Sequence, residues 1–289
     1  MRILALAPQP FFTPRGTPYS VYYRTLTMAE QGAEIDLLTY GEGEDVDIPG
    51  VRHLRIPHPP FLPPVGIGPS VAKLLLDLVM LGVFLRRVGT ERYDVVHAHE
   101  EAVFFAAFFK PLFKYRLVYD MHSSLPQQLG NFEFSRSPLL VRLFARLERM
   151  SLRRADAVVT VCPDLAVHAG ARMPDPDRQI MIENTRFEPI RRPVGRSDAA
   201  APAPNDLASF PTGRRIIFYA GSFEPYQGLD RLVEAFSIVS AGAPDVTLVL
   251  AGGIPNQISA LRKLAEDLGV SDDVLLPGSI PQVSVRRLL

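Results

Sequence analysis

The sequence has a single cysteine, Cys162, among 289 residues. One thiol cannot form an intrachain disulfide or a four-cysteine zinc site, and this usage is typical of a reducing compartment, so we expect a cytoplasmic protein. The 31 basic residues equal the 31 acidic residues in number. A net charge of zero argues against nucleic acid as the main partner, because nucleic-acid-binding proteins carry a basic excess.

Long apolar stretches are also missing. The longest, at 71–85, contains Lys73 and Asp77 and stops at Arg86, whereas a membrane-spanning helix needs about 20 apolar residues. The apolar run near the start, at 3–7, is short and lacks a small-residue cleavage site. It therefore favours a buried first strand over a signal peptide.

Apolar strands alternate with helical patterns along most of the chain. Runs such as 157–161 are apolar nearly throughout, which is typical of strands buried on both faces of a parallel sheet. We predict an α/β protein with doubly wound sheets in two domains, at 1–190 and 214–289, joined by a linker rich in alanine and proline at 191–213. The second domain has three predicted strands and is expected to be incomplete, since sheets have about five or six.

Polar side chains cluster where two strands of the first domain are predicted to end. They are His97, His99 and Glu100 at the first strand, and Asp120, His122 and Ser123 at the next. Ligands of doubly wound sheets bind outside the carboxyl ends of the strands, so we expect a functional cleft here. This position favours a functional role for His122 over a structural one.

The pair His97 and His99 admits three interpretations. Residues i and i+2 of a strand share a face, so the pair could ligate a metal. No third converging ligand is evident in the sequence, and we predict no metal site. Cleft lining is the favoured interpretation, and a structural role remains the alternative.

Glycines follow several predicted strands and suit anion binding. The turn after the first strand contains Arg15 and Gly16 just before a helix, where backbone N–H groups and the helix dipole favour negative charge. A purely structural, proline-rich loop is the equal alternative. The turn lacks the three-glycine dinucleotide fingerprint, which argues against a nicotinamide-dependent oxidoreductase or epimerase.

Two further glycine turns lie in the second domain, at Gly221 and at Gly252–Gly253. Each alone is a weak signal for phosphate binding through backbone amides. Two at successive strand ends predict a nucleotide site in a cleft between the domains.

A stripe of arginines marks the predicted helix at 138–153. Its members are Arg142, Arg146, Arg149 and Arg153, spaced to lie on one face beside an apolar side. One interpretation is docking on anionic lipid head groups. The other is a solvated face whose arginines pair with Glu148, with the phenylalanines at 104–109 in the core.

Six segments in one order complete the pattern: Pro14–Pro18, Tyr93–His99, Asp120–Ser124, Arg153–Thr160, Ala220–Leu229 and Leu248–Gly253. Together they resemble the glycosyltransferases of family 4, the retaining sugar-nucleotide transferases of GT-B fold. The resemblance implies two Rossmann-like domains, the second incomplete in this sequence. It also implies a nucleotide-sugar donor on the second domain and an unknown acceptor, lipid-linked or glycan, on the first, without metal or cofactor.

The resemblance assigns roles to individual residues. His122 matches the active-site histidine near the transferred sugar, and the loop at Gly16 would approach the donor phosphates. Ser222 and Gln227 stand where the family usually has an arginine and a lysine that bind the diphosphate. The family's pair of donor-binding glutamates would follow Ile280, and the sequence ends before it.

These departures lead us to expect a hexosyltransferase-type enzyme with weak or absent activity. The alternative is a non-catalytic module that binds a sugar nucleotide or the inner face of a membrane.

Overall fold

The computed structural model describes residues 1–13, 16–66, 70–127, 137–183, 190–191, 213–280 and 285. Arg15 and nearly all of the predicted linker at 191–213 lie outside these ranges. The chain divides into two units, Met1–Pro193 and Val194–Leu289, and each is described by itself.

The first unit is an α/β sandwich around one parallel sheet. Its strands are β1 (Arg2–Ala7), β2 (Glu34–Thr39), β3 (Val51–Arg55), β4 (Val95–His99), β5 (Arg116–Met121), β6 (Ala157–Thr160) and β7 (Gln179–Met181). Its helices are α1 (Gly16–Glu30), α2 (Val71–Thr90), α3 (Ala102–Phe113), α4 (Pro138–Arg154) and α5 (Pro163–Gly170). The strand order is β3-β2-β1-β4-β5-β6-β7, and every pair is parallel.

Both faces of this sheet are buried, as the apolar strands predict. Leu4 and Leu6 of β1 belong to one hydrophobic core, and Ile3 and Ala5 belong to another on the opposite face. Successive side chains of a strand point to opposite faces, so an unbroken apolar run supplies both cores at once.

The second unit is a smaller parallel sheet with helices. It contains β8 (Arg215–Gly221), α6 (Leu229–Gly242), β9 (Val246–Gly252), α7 (Pro255–Asp267) and β10 (Val274–Gly278), with strand order β10-β9-β8. Val233 and Phe236 of α6 pack with Leu248 and Leu250 of β9 in its core. The predicted α/β class is confirmed in both units.

Helix α3 continues through Pro111 to Phe113, although a proline inside a helix usually ends or kinks it. Proline has no N–H and leaves the carbonyl four residues earlier without its helical partner. That carbonyl, of Ala107, accepts a hydrogen bond from Arg154 Nη1 at 3.2 Å. The last residue of α4 thus compensates for the proline in α3.

Among the described residues, none of the helices has the length and apolar character needed to cross a bilayer.

Candidate functional site

Strands β4 and β5 bring the predicted polar cluster together. They are parallel neighbours, and their register places His99 beside Asp120. The two strands therefore end at the same edge of the sheet, which is where ligands of doubly wound sheets bind.

Asp120 is the centre of this cluster, and its side chain is fully buried. Its Oδ2 atom lies 2.9 Å from His97 Nε2 and 3.4 Å from His99 Nδ1, and its Oδ1 atom lies 3.3 Å from His122 Nε2. Three imidazoles thus surround one carboxylate. The His97 contact is a hydrogen bond, whereas the buried Oδ1 atom has no hydrogen-bond partner among the described residues.

The three imidazoles also stack in a row. The ring centroids of His97 and His99 are 4.9 Å apart, and those of His99 and His122 are 5.4 Å apart. His99 Nδ1 lies 3.2 Å from His122 Nε2. On the other side of its ring, the buried Nε2 of His99 has no hydrogen-bond partner among the described residues.

Arg24 of α1 supplies a permanent positive charge that the sequence analysis missed. Its Nε atom lies 3.0 Å from Asp120 Oδ2, and its side chain is 12% exposed. The sequence does contain a signal that could have drawn attention to Arg24. It is the only basic residue in α1, whose other residues are mainly tyrosine, threonine and apolar types. The ion pair couples α1 to the end of β5 across 96 positions of sequence.

The structure places a third potential metal ligand, which was not evident in the sequence, beside the two histidines. Donor atoms of His97, His99 and Asp120 lie within 4.8 Å of one another. Arg24 nevertheless lies against the same carboxylate oxygen, and its charge would repel a divalent cation.

The electrostatics of the cluster favour an ionised Asp120 and neutral forms of His99 and His122. Burial lowers the pKa of His99 and His122, and Asp120 only partly offsets that effect. Burial opposes ionisation of Asp120, but the adjacent His99 and His122 rings and the hydrogen bond with His97 together outweigh it and hold the Asp120 pKa below its ordinary value. Arg24 acts in the same direction, because its charge persists at all relevant pH values.

Glu100 follows β4 in a left-handed conformation, with φ of 48°. This region is uncommon for residues other than glycine and is frequent at functional sites. Ser123 Oγ donates a hydrogen bond to Glu100 Oε2 at 3.0 Å. Burial and the nearby carboxylate of Glu101 raise the pKa of Glu100 to about 7, while Lys73 partly counteracts them.

Two glycines of the second unit, Gly252 and Gly253, lie where neighbouring atoms leave no room for a Cβ. Gly221 and Gly252 are paired residues at the ends of β8 and β9. A Cβ on Gly252 would lie 1.8 Å from the Gly221 carbonyl oxygen, and one on Gly253 would lie 2.4 Å from the Phe223 ring. Both have positive φ, 128° and 74°, so a steric reason for glycine exists beside the predicted phosphate contact.

The other predicted donor-site residues that the structure describes are Ser222, Gln227 and Gly16. Ser222 follows β8, and Gln227 is exposed in the 3₁₀ turn Pro225–Gln227. In the first unit, Gly16 begins α1, and a Cβ there would meet no atom within 4 Å, so packing does not require glycine.

Arg214 and Arg215 do not supply the missing positive charges near the glycines. Arg214 pairs with Asp273 at 2.6 Å, and Arg215 pairs with Asp245 at 2.8 Å. Both lie at the start of β8, about 20 Å from its carboxyl end at 3.3 Å per residue. Neither arginine is therefore placed to compensate for the neutral Ser222 and Gln227.

Comparison with known families agrees with this architecture. Residues 22–185 match the family described as Glycosyl transferase 4-like domain, and residues 207–289 match Glycosyl transferases group 1. The chain belongs to the group 1 glycosyltransferases of family 4. The predicted family is confirmed.

Curated relatives of this family 4 chain are distant. It is 26% identical over 206 residues to the uncharacterized glycosyltransferase YqgM of Bacillus subtilis, covering 69% of this chain and 50% of the relative. It is 27% identical over 289 residues to a D-inositol 3-phosphate glycosyltransferase of Xylanimonas cellulosilytica, covering 90% and 63%. The chain therefore spans half to two thirds of the length of these relatives.

Solved structures show the same GT-B fold. Sucrose-phosphate synthase from Thermosynechococcus elongatus superposes with a TM-score of 0.70 at 17% identity, covering 99% of this chain and 72% of that one. Anabaena HepE in complex with UDP and glucose gives a TM-score of 0.63 at 15% identity, covering 98% and 70%.

Proposed function

We propose that this family 4 chain transfers a sugar from a nucleotide-sugar donor to a hydroxyl acceptor, with retention of configuration at the anomeric carbon. The cluster of Asp120 with three histidines at the carboxyl edge of β4 and β5 carries this proposal. HepE structures contain UDP with glucose or UDP-glucose, which supports UDP-glucose as the first donor to test.

His122 is the proposed catalytic residue. In the transfer, the bond between the anomeric carbon and the diphosphate oxygen breaks and the diphosphate leaves with the electron pair. The acceptor oxygen bonds to the carbon, and the proton of the acceptor hydroxyl passes to the departing diphosphate. A neutral imidazole can hydrogen-bond the sugar while charge develops. The lowered pKa of His122 supports the neutral form at pH 7.

The remaining predicted cleft residues divide by exposure. His97, His99 and Asp120 are buried, so we propose that they orient His122 and set its protonation. Glu100 and Ser123 are partly accessible, and we propose that they contact the acceptor.

On the donor side, we propose that backbone N–H groups next to Gly221, Gly252 and Gly253 bind the diphosphate. Gly16, and Arg15 outside the described residues, are further candidates for phosphate contact. Ser222 and Gln227 can donate hydrogen bonds but carry no charge, so we expect weaker diphosphate binding than a charged pair would give. Slow turnover is the expected consequence.

The test is release of UDP from UDP-glucose by the purified chain, with water or a simple sugar as acceptor. His122→Ala should lower the rate at least about tenfold without loss of folding. The matched control is His58→Ala, which removes an imidazole that pairs with Glu42 elsewhere in the same unit. Equal rates in the two variants would contradict the role of His122. Binding of UDP-glucose without any UDP release would favour a non-catalytic binding module.

A second proposed property is association with an anionic membrane surface, and a basic cleft favours it. This cleft of 490 Å³ lies where α3 and α4 end and contains six cationic residues and one carboxylate: Lys110, Lys114, Arg116, Arg153, Arg154, Arg178 and Asp156. Phe108 and Leu112 of α3 and Leu139 and Leu143 of α4 are exposed apolar side chains on the helices that form it.

The structure changes which side chains of the predicted arginine stripe and of the phenylalanines at 104–109 are available to a membrane surface. Arg142, Arg146 and Arg149 are exposed. Glu148 is buried, and its two oxygens contact Ser124 and His168 instead of these arginines. Phe104, Phe105 and Phe109 pack against the core, whereas Phe108 is 61% exposed.

Each basic group near an anionic surface contributes about 1 kcal/mol, so four would give about 4 kcal/mol and salt-sensitive binding. Co-sedimentation with anionic and neutral vesicles at low and high salt tests this. Arg142→Glu with Arg146→Glu should reduce binding, whereas Arg262→Glu with Lys263→Glu on exposed positions of α7 should not. No binding to anionic vesicles at low salt would rule membrane association out.

A further inference from the structure

Glu148 is a buried carboxylate away from the Asp120 cluster, and each of its oxygens has a partner. It lies on α4 and is 2% exposed. Ser124 Oγ donates a hydrogen bond to Glu148 Oε2 at 2.8 Å, and His168 Nε2 of α5 lies 2.7 Å from Oε1.

This carboxylate connects three segments that are distant in sequence. Ser124 lies in the turn after β5, and the others lie on α4 and α5. A buried carboxylate is costly to leave without partners, so both contacts constrain where these segments can lie. The Ser124 carbonyl also accepts a hydrogen bond from the Gln127 N–H at 3.0 Å, so the turn is held at its side chain and at its backbone.

The turn held in this way is the one that carries His122. Two peptide units separate His122 from Ser124. On one side, β5 fixes Asp120, which lies 3.3 Å from His122 Nε2. On the other side, the Ser124–Glu148 hydrogen bond constrains the position of the turn relative to α4.

We propose that Glu148 is a positioning residue for His122: through Ser124 it holds the turn that orients the His122 imidazole, and His168 holds Glu148 in place. The catalytic consequence rests on the proposed glycosyl transfer. Misplacement of a catalytic group by 1 Å can cost about 100-fold in rate, so a remote anchor of this kind acts mainly on turnover.

The first test does not need activity. The chain has six histidines, so protein labelled with ¹³C and ¹⁵N at histidine gives few imidazole signals. Ser124→Ala and Glu148→Gln should move the signals of His122 and its stacking neighbour His99. Ser151→Ala is the matched control. It removes a different buried hydroxyl, on α4, whose hydrogen bond to the Leu147 carbonyl is the only one it makes among the described residues.

The second test uses UDP release from UDP-glucose. Ser124→Ala should lower kcat at least about tenfold with KM changed less than about twofold, and Ser124→Thr should restore most of the rate. Unchanged His122 signals in a folded Ser124→Ala protein would overturn the inference. If the wild-type chain releases no UDP, the proposed function fails, and the imidazole signals still decide whether Glu148 positions His122.

Discussion

Replacing Glu100 with glutamine should change how the stability of the first unit depends on pH. The pKa of Glu100 is raised from 4.5 to about 7 by burial and by Glu101. Between these two values the folded chain retains a proton on Glu100 that the unfolded chain has lost. Stability from this residue therefore falls as pH rises from about 4.5 to 7 and stays low above that.

The size of the effect follows from the pKa difference. At about 1.4 kcal/mol for each pH unit, the change from 4.5 to about 7 corresponds to about 3 kcal/mol. Glu100→Gln removes the carboxylate and nearly preserves the side-chain shape. The free energy of unfolding of the variant, minus that of the wild type, should rise by about 3 kcal/mol across this pH range.

The same range contains an opposite contribution from histidines. The pKa values of His99 and His122 are lowered, so their contribution is present above their unfolded pKa of about 6.5 and falls as pH decreases below it. Both proteins share these histidines. The contribution of the histidines therefore cancels to first order when the free energy of unfolding of the wild type is subtracted from that of the variant. The pH dependence that remains comes from Glu100.

The measurement is urea-dependent amide exchange of β1 and β4 at pH 4.5, 5.5, 6.5 and 7.5, which reports on the first unit alone. Glu34→Gln is the control, because it removes an exposed carboxylate at the start of β2. Parallel stability curves for Glu100→Gln and the wild type would refute the assignment of a raised pKa to Glu100.

Three further outcomes are expected. Arg24→Met should destabilise the first unit by about 3 kcal/mol in urea denaturation, since it removes the permanently charged side chain beside buried Asp120 and leaves histidines as its neighbours; a loss under about 1 kcal/mol would contradict this. Gly252→Ala should cost the second unit at least about 2 kcal/mol, because its Cβ would lie 1.8 Å from a carbonyl oxygen. Gly242→Ala, which meets no atom within 4 Å, should cost little, and similar losses for both glycines would disprove the steric explanation. Amides of β9, which is buried between two strands, should exchange more slowly than those of the exposed strand β8; faster exchange of β9 would be inconsistent with this packing.

The sequence determined the secondary structure and the family, because these depend on local periodicity and on short motifs. The apolar run at residues 3–7 predicted the first strand, which is found at Arg2–Ala7. The carboxyl ends of parallel strands meet at one edge, so the proximity of His99 and Asp120 was also predictable. The extension of α3 through Pro111 was not, because it depends on Arg154 from another helix.

Beyond the shared edge of β4 and β5, only the tertiary structure decided which side chains act together. Arg24 is paired with Asp120 because α1 packs near the end of β5, a contact across 96 positions that no local pattern encodes. Glu148 lies four residues after Phe144 on the apolar side of α4, yet its partners come from a turn and from α5. Gly252 is constrained by the carbonyl of Gly221 on a neighbouring strand. In each case the deciding interaction is a short-range contact between residues that only the packed chain brings within reach.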